Sequence, residues 1–334
     1  MTYTIDSKPL WQPSPAHAAA TKMGALMRDT GHADYADLWH WSVDQPEAFW
    51  SKIWDFCGAV GEKGSIVLED GQKMPGARWF PQARLNYAEN LLQARDAGDA
   101  LVFWGEDKVK RRMSRAALYA EVARFQQFLI ASGVGEGDRV AGYLPNLPET
   151  LVAMLATVSL GAIWSSASPD FGVQGVLDRF GQIEPKVLIC VDGYWYNGKA
   201  VDCLEKNAAI AAQMPSLLKT VVVPYLAATP EVSKIANAVQ WDEIVTPQGD
   251  FLQGAVDGQK DVIFQRVGFN HPLFIMFSSG TTGVPKCIVH CHGGVLLQHL
   301  KEHQLHSDVR SGDRLFYFTT CGWMMWNWLV SGLA

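Results

Sequence analysis

Residues 273–290 read LFIMFSSGTTGVPKCIVH. The apolar runs Leu273–Phe277 and Cys287–His290 are too short for helices, and each reads as a buried or half-buried strand. Between them lie Ser278, Ser279, Gly280, Thr281, Thr282, Gly283, Val284, Pro285 and Lys286. Gly280 and Gly283 allow backbone angles closed to other residues, so consecutive N–H groups can turn toward one centre. Four hydroxyls add uncharged donors. Lys286 adds a compact cation suited to phosphate, and Pro285 stiffens the exit into the second strand. The sum is a cradle for a polyphosphate. It differs from the G-x-x-x-x-G-K-[ST] loop in spacing, and a strand follows it where that motif has a helix. A plain hairpin loop is the bland reading. The order of nine such residues, closing on Pro-Lys between two apolar runs, weighs against it.

Working outward, the chain before this loop alternates strand-like and helix-like segments from about residue 100. Leu101–Trp104 is a short strand candidate. Ser114 caps a helix with an apolar face of Leu118, Val122, Phe125 and Leu129, ended by Gly133. Strands follow at Arg139–Leu144, Ala162–Ser166, Lys186–Val191 and Thr220–Val223. Helices are expected from Pro148 through Leu160, near Val173–Ile183 and near Ala200–Ala212. Apolar strands alternating with helices imply a mostly parallel sheet covered on both faces, an α/β fold. The interval 224–262 is loosely patterned and reads as a linker or peripheral elements. Residues 1–35 show no clear periodicity and read as a wrapping segment. Pro46, Phe49, Ile53 and Phe56 give helical spacing in a tryptophan-rich stretch, with Trp39, Trp41, Trp50 and Trp54 forming an aromatic docking surface.

Composition narrows the function classes. The chain has 334 residues, 48% apolar and 19% charged, with a formal net charge of −6. That charge argues against a nucleic-acid partner. Lys108, Lys110, Arg111 and Arg112 form a local basic cluster, read as a solvated turn. The longest apolar stretch, Leu151–Trp164, is shorter than the roughly 20 residues a membrane span needs. No secretory signal is visible at the start. Cys57, Cys190, Cys203, Cys287, Cys291 and Cys321 suit reduced thiols in a cytoplasm, with Cys190 and Cys287 buried in strand-like runs. Cys287, His290, Cys291 and His292 could offer sulfur and nitrogen to zinc. Adjacent strand residues point to opposite faces, however, and no second C-x-x-C completes the set, so no metal site is expected.

SSGTTGVPK resembles the phosphate-binding loop of the adenylate-forming enzymes, the superfamily of acyl-CoA synthetases, luciferases and peptide-synthetase adenylation domains. Residues 77–92 (ARWFPQARLNYAENLL), 145–172 (PNLPETLVAMLATVSLGAIWSSASPDFG), 187–199 (VLICVDGYWYNGK) and 316–332 (FYFTTCGWMMWNWLVSG) are similar to the acetoacetate-activating branch of the acyl-CoA synthetases. The resemblance runs from about residue 37 to the last residue.

The resemblance implies the first part of the large domain of an adenylate-forming enzyme, layered mostly parallel sheets with helices on both faces. It divides the chain into a wrapping segment, 1–98, and an incomplete AMP-binding domain, 99–334. It implies ATP with Mg²⁺ and coenzyme A as co-substrate. Acetoacetate would become acetoacetyl-AMP and then acetoacetyl-CoA. Ser278, Ser279, Gly280, Thr281, Thr282, Gly283 and Lys286 would hold the β- and γ-phosphates. Trp323, Met324 and Met325 would wall the acyl pocket, with Asn327 as a polar contact; the same WMMWNW run also reads as a buried helix start. Lys199 would approach CoA phosphate, in a stretch where Tyr194 and Tyr196 stand near positions held by arginines in the acetyl-CoA enzymes. The adenine and ribose sites, the catalytic lysine and the small lid domain have no counterpart in these residues. The chain is therefore expected to be an inactive fragment by itself. An acyl-CoA synthetase for another short acid such as acetate, and a non-enzymatic nucleotide-binding or interaction module, are the alternatives. Oligomeric state is open.

Overall fold

The computed structural model describes residues 10–245, 261–278 and 283–334. The chain divides into a smaller unit, the residues up to Ala59 with Leu297–Arg314, and a larger one, Val60–Leu296 with Leu315–Ala334.

In the smaller unit, side-chain caps start short helices where no periodicity was legible. The Ser14 hydroxyl accepts from the His17 N–H at the start of Pro15–Ala20. Thr21 does the same for Gly24 at the start of Lys22–Thr30. With six and nine residues, these helices are too short to repeat an apolar face. Pro46–Phe56 is helical as the spacing predicts, burying Phe49, Ile53 and Trp54. Trp39 remains half exposed, so the tryptophan-rich run is only partly a packing surface.

The larger unit is built on a seven-stranded sheet. Its strands are β1 (Arg139–Tyr143), β2 (Ile163–Ala167), β3 (Val187–Val191), β4 (Lys219–Val223), β5 (Ala238–Gln240), β6 (Pro272–Phe277) and β7 (Cys287–Cys291). They lie in the order β5-β4-β3-β1-β2-β6-β7. All neighbours pair parallel except β6 and β7, which form an antiparallel edge. The strand after the glycine-rich loop is thus a strand, as its residues indicate.

Alternation decides which strand residues meet which helices. Helices Val173–Phe180 and Leu204–Ala212 cover one face, placing Val176, Phe180 and Ile210 with Ala141, Leu188, Cys190 and Val222. Helix Pro148–Ser159 packs against β1 and β2 and is buried at every position, beneath Arg115–Ala131. That double covering is why Leu151–Trp164 reads as one apolar run. The Ser114 cap holds, its hydroxyl accepting from Ala117 N–H, and Gly133 ends the helix region at φ 77°.

Two expectations are corrected. Leu101–Trp104 belongs to a separate antiparallel hairpin, Asp99–Gly105 with Val109–Ser114, and not to the parallel sheet. The basic cluster therefore begins in the hairpin turn at Lys108 and runs on into the second strand at Lys110, Arg111 and Arg112. Arg111 makes a bidentate pair with Glu149 at 2.6 and 2.8 Å, Arg112 pairs with Asp99, and Lys110 sits over the Trp104 ring. The interval 224–262 holds peripheral elements, as its loose pattern allows: β5 at the sheet edge and helix Trp241–Val245, whose Trp241 stacks on Phe125 at 4.6 Å. Cys287 is exposed, because the edge position of β7 leaves it uncovered; Cys190 is fully buried.

Candidate functional site

In this sheet β1 lies between β3 and β2, so the chain leaves its carboxyl end toward one side and leaves that of β3 toward the other. Ligands of open α/β sheets gather outside the carboxyl ends of strands at such a reversal. Because β6 is parallel to β2, its end at Phe277 lies on the same edge as Tyr143 and Ala167. The glycine-rich loop springs from that edge.

The base of the loop is closed by its own backbone. Ser278 N–H donates to the Lys286 carbonyl at 3.0 Å, and Phe277 pairs with Cys287. Gly283 adopts φ 96°, and a Cβ there would meet nothing within 4 Å, so its left-handed backbone faces open space. Lys286 is exposed. The Pro285 carbonyl accepts from Gln182 Nε2 at 2.8 Å, which anchors the exit of the loop. Ser279, Gly280, Thr281 and Thr282 lie outside the described residues.

The second candidate segment, Thr319–Trp328, docks on the same edge. The Cys321 thiol donates to Leu144 O at 2.8 Å, just past the end of β1. Ser166 of β2 donates to Cys321 O at 2.6 Å. Gly322 lies so close to Ala167 and Ser168 that a Cβ would come within 3.3 Å of their backbone. Burial pushes the Cys321 thiol up to about 12, keeping it a protonated donor. Helix Met324–Val330 begins immediately afterwards. Trp326 is fully buried and donates from Nε1 to Asn146 Oδ1 at 2.8 Å. Asn327 is buried; its Nδ2 points to Met276 Sδ of β6 at 3.2 Å, and its Oδ1 has no partner among the described residues. Trp323 and Met324 are exposed, and Met325 is half-buried. The structure thus brings the root of the loop, the ends of β1 and β2, and the Trp323–Asn327 segment to one edge.

Lys199 lies apart from that cluster. It pairs with Tyr196 across the tight turn of hairpin Gly193–Tyr196 with Lys199–Asp202, which local pattern did not reveal. Gly198 N–H donates to Glu106 of the first hairpin at 2.8 Å, and the two tips line a shallow cleft of about 430 Å³. Tyr194 donates to Asp170 at 2.7 Å, tying this hairpin to the loop after β2. Burial and the adjoining Asp170 carboxylate push the Tyr194 phenol up.

Sequence reasoning missed Ser166 and Cys321 as the fasteners of the site. Their partners lie 155 and 177 positions away, and nothing local marks them. Among the described residues no group of three or more His, Cys, Asp and Glu converges as metal ligands. No helix among them is long and apolar enough to cross a membrane.

A glycine-rich connection between two strands leaves the carboxyl edge of a mostly parallel sheet, with an apolar helix docked beside it. The sequence profile described as "AMP-binding enzyme" matches residues 92–334, and the chain belongs to that family. The profile "Acetyl-coenzyme A synthetase N-terminus" matches residues 35–91. The chain is similar to the acetoacetyl-coenzyme A synthetase of Rhizobium meliloti (strain 1021), 52% identical over 98% of this chain and 50% of that protein. It is 44% identical to the acetoacetyl-CoA synthetase of Danio rerio, over 99% of this chain and 50% of that one. The solved acetoacetyl-CoA synthetase from Streptomyces lividans superposes with a TM-score of 0.89 at 40% identity, covering 98% of this chain and 50% of its own. The chain spans about half the length of these relatives.

Proposed function

We propose that the chain supplies the phosphate cradle and the acid-binding wall of an ATP-dependent ligase that activates acetoacetate and passes it to coenzyme A. The observation carrying this reading is the convergence of the loop's root, Ser278 with Lys286, and the Trp323–Asn327 segment on one sheet edge. The names of the relatives agree with it. The acid carboxylate attacks the α-phosphorus of ATP, pyrophosphate leaves, and the CoA thiol then displaces AMP from the acyl-adenylate. The work is positioning and neutralisation of charge on the departing pyrophosphate.

Ser278, Ser279, Gly280, Thr281, Thr282, Gly283 and Lys286 hold the β- and γ-phosphates, with Mg²⁺ arriving on the nucleotide. The open, positive-φ backbone at Gly283 and the exposed Lys286 fit that task. Trp323, Met324 and Met325 wall the acyl slot. The buried Asn327 amide is the polar group for the β-substituent: Nδ2 has a second proton, besides the one directed at Met276 Sδ, to donate to a ketone oxygen. Lys199 approaches CoA phosphate from the hairpin tip. In this reading residues 1–98 wrap the enzyme and 99–334 begin its adenylation domain. The six free cysteines support a reducing, cytoplasmic setting.

A second acid is favoured by one observation: the malonamoyl-CoA synthetase of Penicillium aethiopicum is 42% identical over 90% of this chain. The test is acid-dependent exchange of labelled pyrophosphate into ATP with acetoacetate, malonamate, acetate and butyrate. It is run on this chain and on the longest natural polypeptide that carries it. Exchange led by acetoacetate, and reduced about 100-fold by Lys286→Ala, supports the proposal. Exchange led by malonamate selects the second reading. A folded full polypeptide inert with every acid refutes both.

A further inference from the structure

Tyr87 has no part in the roles assigned above, yet it touches β6, the residue after β7 and the residue after helix Met324–Val330. It opens the short helix Tyr87–Leu91 and is fully buried. Its neighbour Asn86 pins the backbone there, donating from Nδ2 to the carbonyls of Val158, Ser159 and Gln265. The Tyr87 N–H donates to His292 Nδ1 at 3.3 Å, at the residue that follows β7. Its ring stands edge-on to Phe274 of β6, centroids 5.5 Å apart at 81°. Its hydroxyl meets Ser331 Oγ at 2.5 Å, one residue past helix Met324–Val330.

The direction of that last bond follows from proton count. The Ser331 hydroxyl donates its only proton to Asn327 O at 2.9 Å. The phenol must therefore donate to Ser331. A chain of two hydrogen bonds runs from Tyr87 through Ser331 to the backbone of Asn327. The same side chain braces β6, the strand that leads into the glycine-rich loop.

We propose that Tyr87 is a positioning residue for the acid substrate: its hydroxyl sets helix Met324–Val330 against the loop hairpin and so places Asn327. This rests on the reading that this helix lines the acid slot. The phosphates meet the loop and not the helix, so the effect is selective. Tyr87→Phe keeps the ring on Phe274 and the main-chain N–H on His292, and removes only the O–H. Ser331→Ala removes the same chain from its other end.

The test measures steady-state KM and kcat for acid and for ATP in the full polypeptide carrying this chain. Tyr87→Phe is expected to raise the acid KM about fivefold, the range of one buried neutral hydrogen bond, with the ATP KM unchanged. Ser331→Ala is expected to match it, Ser331→Thr to retain wild-type behaviour, and the double variant to be no worse than either single. Equal increases in both KM values, additive losses, or no change in Tyr87→Phe would overturn the proposal while leaving the ligase reading intact. An inert wild type would overturn both.

Discussion

His292 offers a test of the fold that needs no substrate. It is fully buried, with Nδ1 accepting the Tyr87 N–H at 3.3 Å and Nε2 without a partner among the described residues. Burial first, and the His271 ring 5.6 Å away second, hold it down at about 3, against 6.5 for a free imidazole. The unfolded chain then binds a proton that the folded chain refuses, so stability rises with pH across that window. The contribution is complete above the free value and is lost as pH falls from about 6.5 toward 3. Linkage gives a loss of about 2 kcal/mol between roughly pH 7 and pH 5 from this group alone. His292→Asn keeps an acceptor for Tyr87 and removes the titration. It also leaves a small void whose cost does not depend on pH. Urea unfolding at the two pH values, followed by a probe in the larger unit, compares the slopes and not the absolute stabilities. The variant is expected to lose about 2 kcal/mol less than the parent on acidification. Proton NMR supplies the direct check, with the His292 ring silent through this range. An unchanged slope, or a His292 resonance titrating near the free value, would refute the assignment of a buried neutral imidazole.

Two further substitutions probe the frame around the site. Asp192, at the end of β3, is 3% exposed, and its carboxylate accepts the N–H groups of Tyr225, Leu226 and Ala227 at 2.8–3.0 Å. Asp192→Ala leaves three part-buried donors without their charged acceptor and is expected to cost about 1–3 kcal/mol in denaturant unfolding; a change below about 0.5 kcal/mol would show that water replaces the carboxylate. Gly142 on β1 has no room for a side chain, since a Cβ would fall 2.6 Å from the buried Trp164 ring. Gly142→Ala is expected to cost about 1–3 kcal/mol, partly recovered by Trp164→Leu in the double variant; equal losses in both backgrounds would place the strain elsewhere.

What could be read from the residues divides along a physical line. The strands β1 to β4 and the helices around them announce themselves either as short apolar runs, as Val187–Val191 does, or by an apolar face at helical spacing, as Leu118–Leu129 does. The two strands flanking the glycine-rich loop were equally legible, since Leu273–Phe277 and Cys287–His290 are apolar runs too short for helices. The hairpins Asp99–Ser114 and Gly193–Asp202 were not, because a short half-exposed strand such as Leu101–Trp104 looks the same whether it joins a parallel sheet or folds back on its neighbour. The exposure of Cys287 was hidden for a related reason: residue type does not tell an edge strand from a central one. The fasteners of the candidate site were least legible of all. Ser166 to Cys321, Trp326 to Asn146 and Tyr87 to Ser331 each join residues more than 150 positions apart through one hydrogen bond. A hydroxyl in WSSAS or a tyrosine in LNYAENLL carries no mark of its distant partner. Under the proposed function, the chemistry of the loop would be written locally, while the fit of an acid beside it would be set by contacts that only the folded chain assembles. Substitutions at Tyr87 and Ser331, set beside one at Lys286, are therefore expected to separate binding of acid from binding of nucleotide if the proposed function holds.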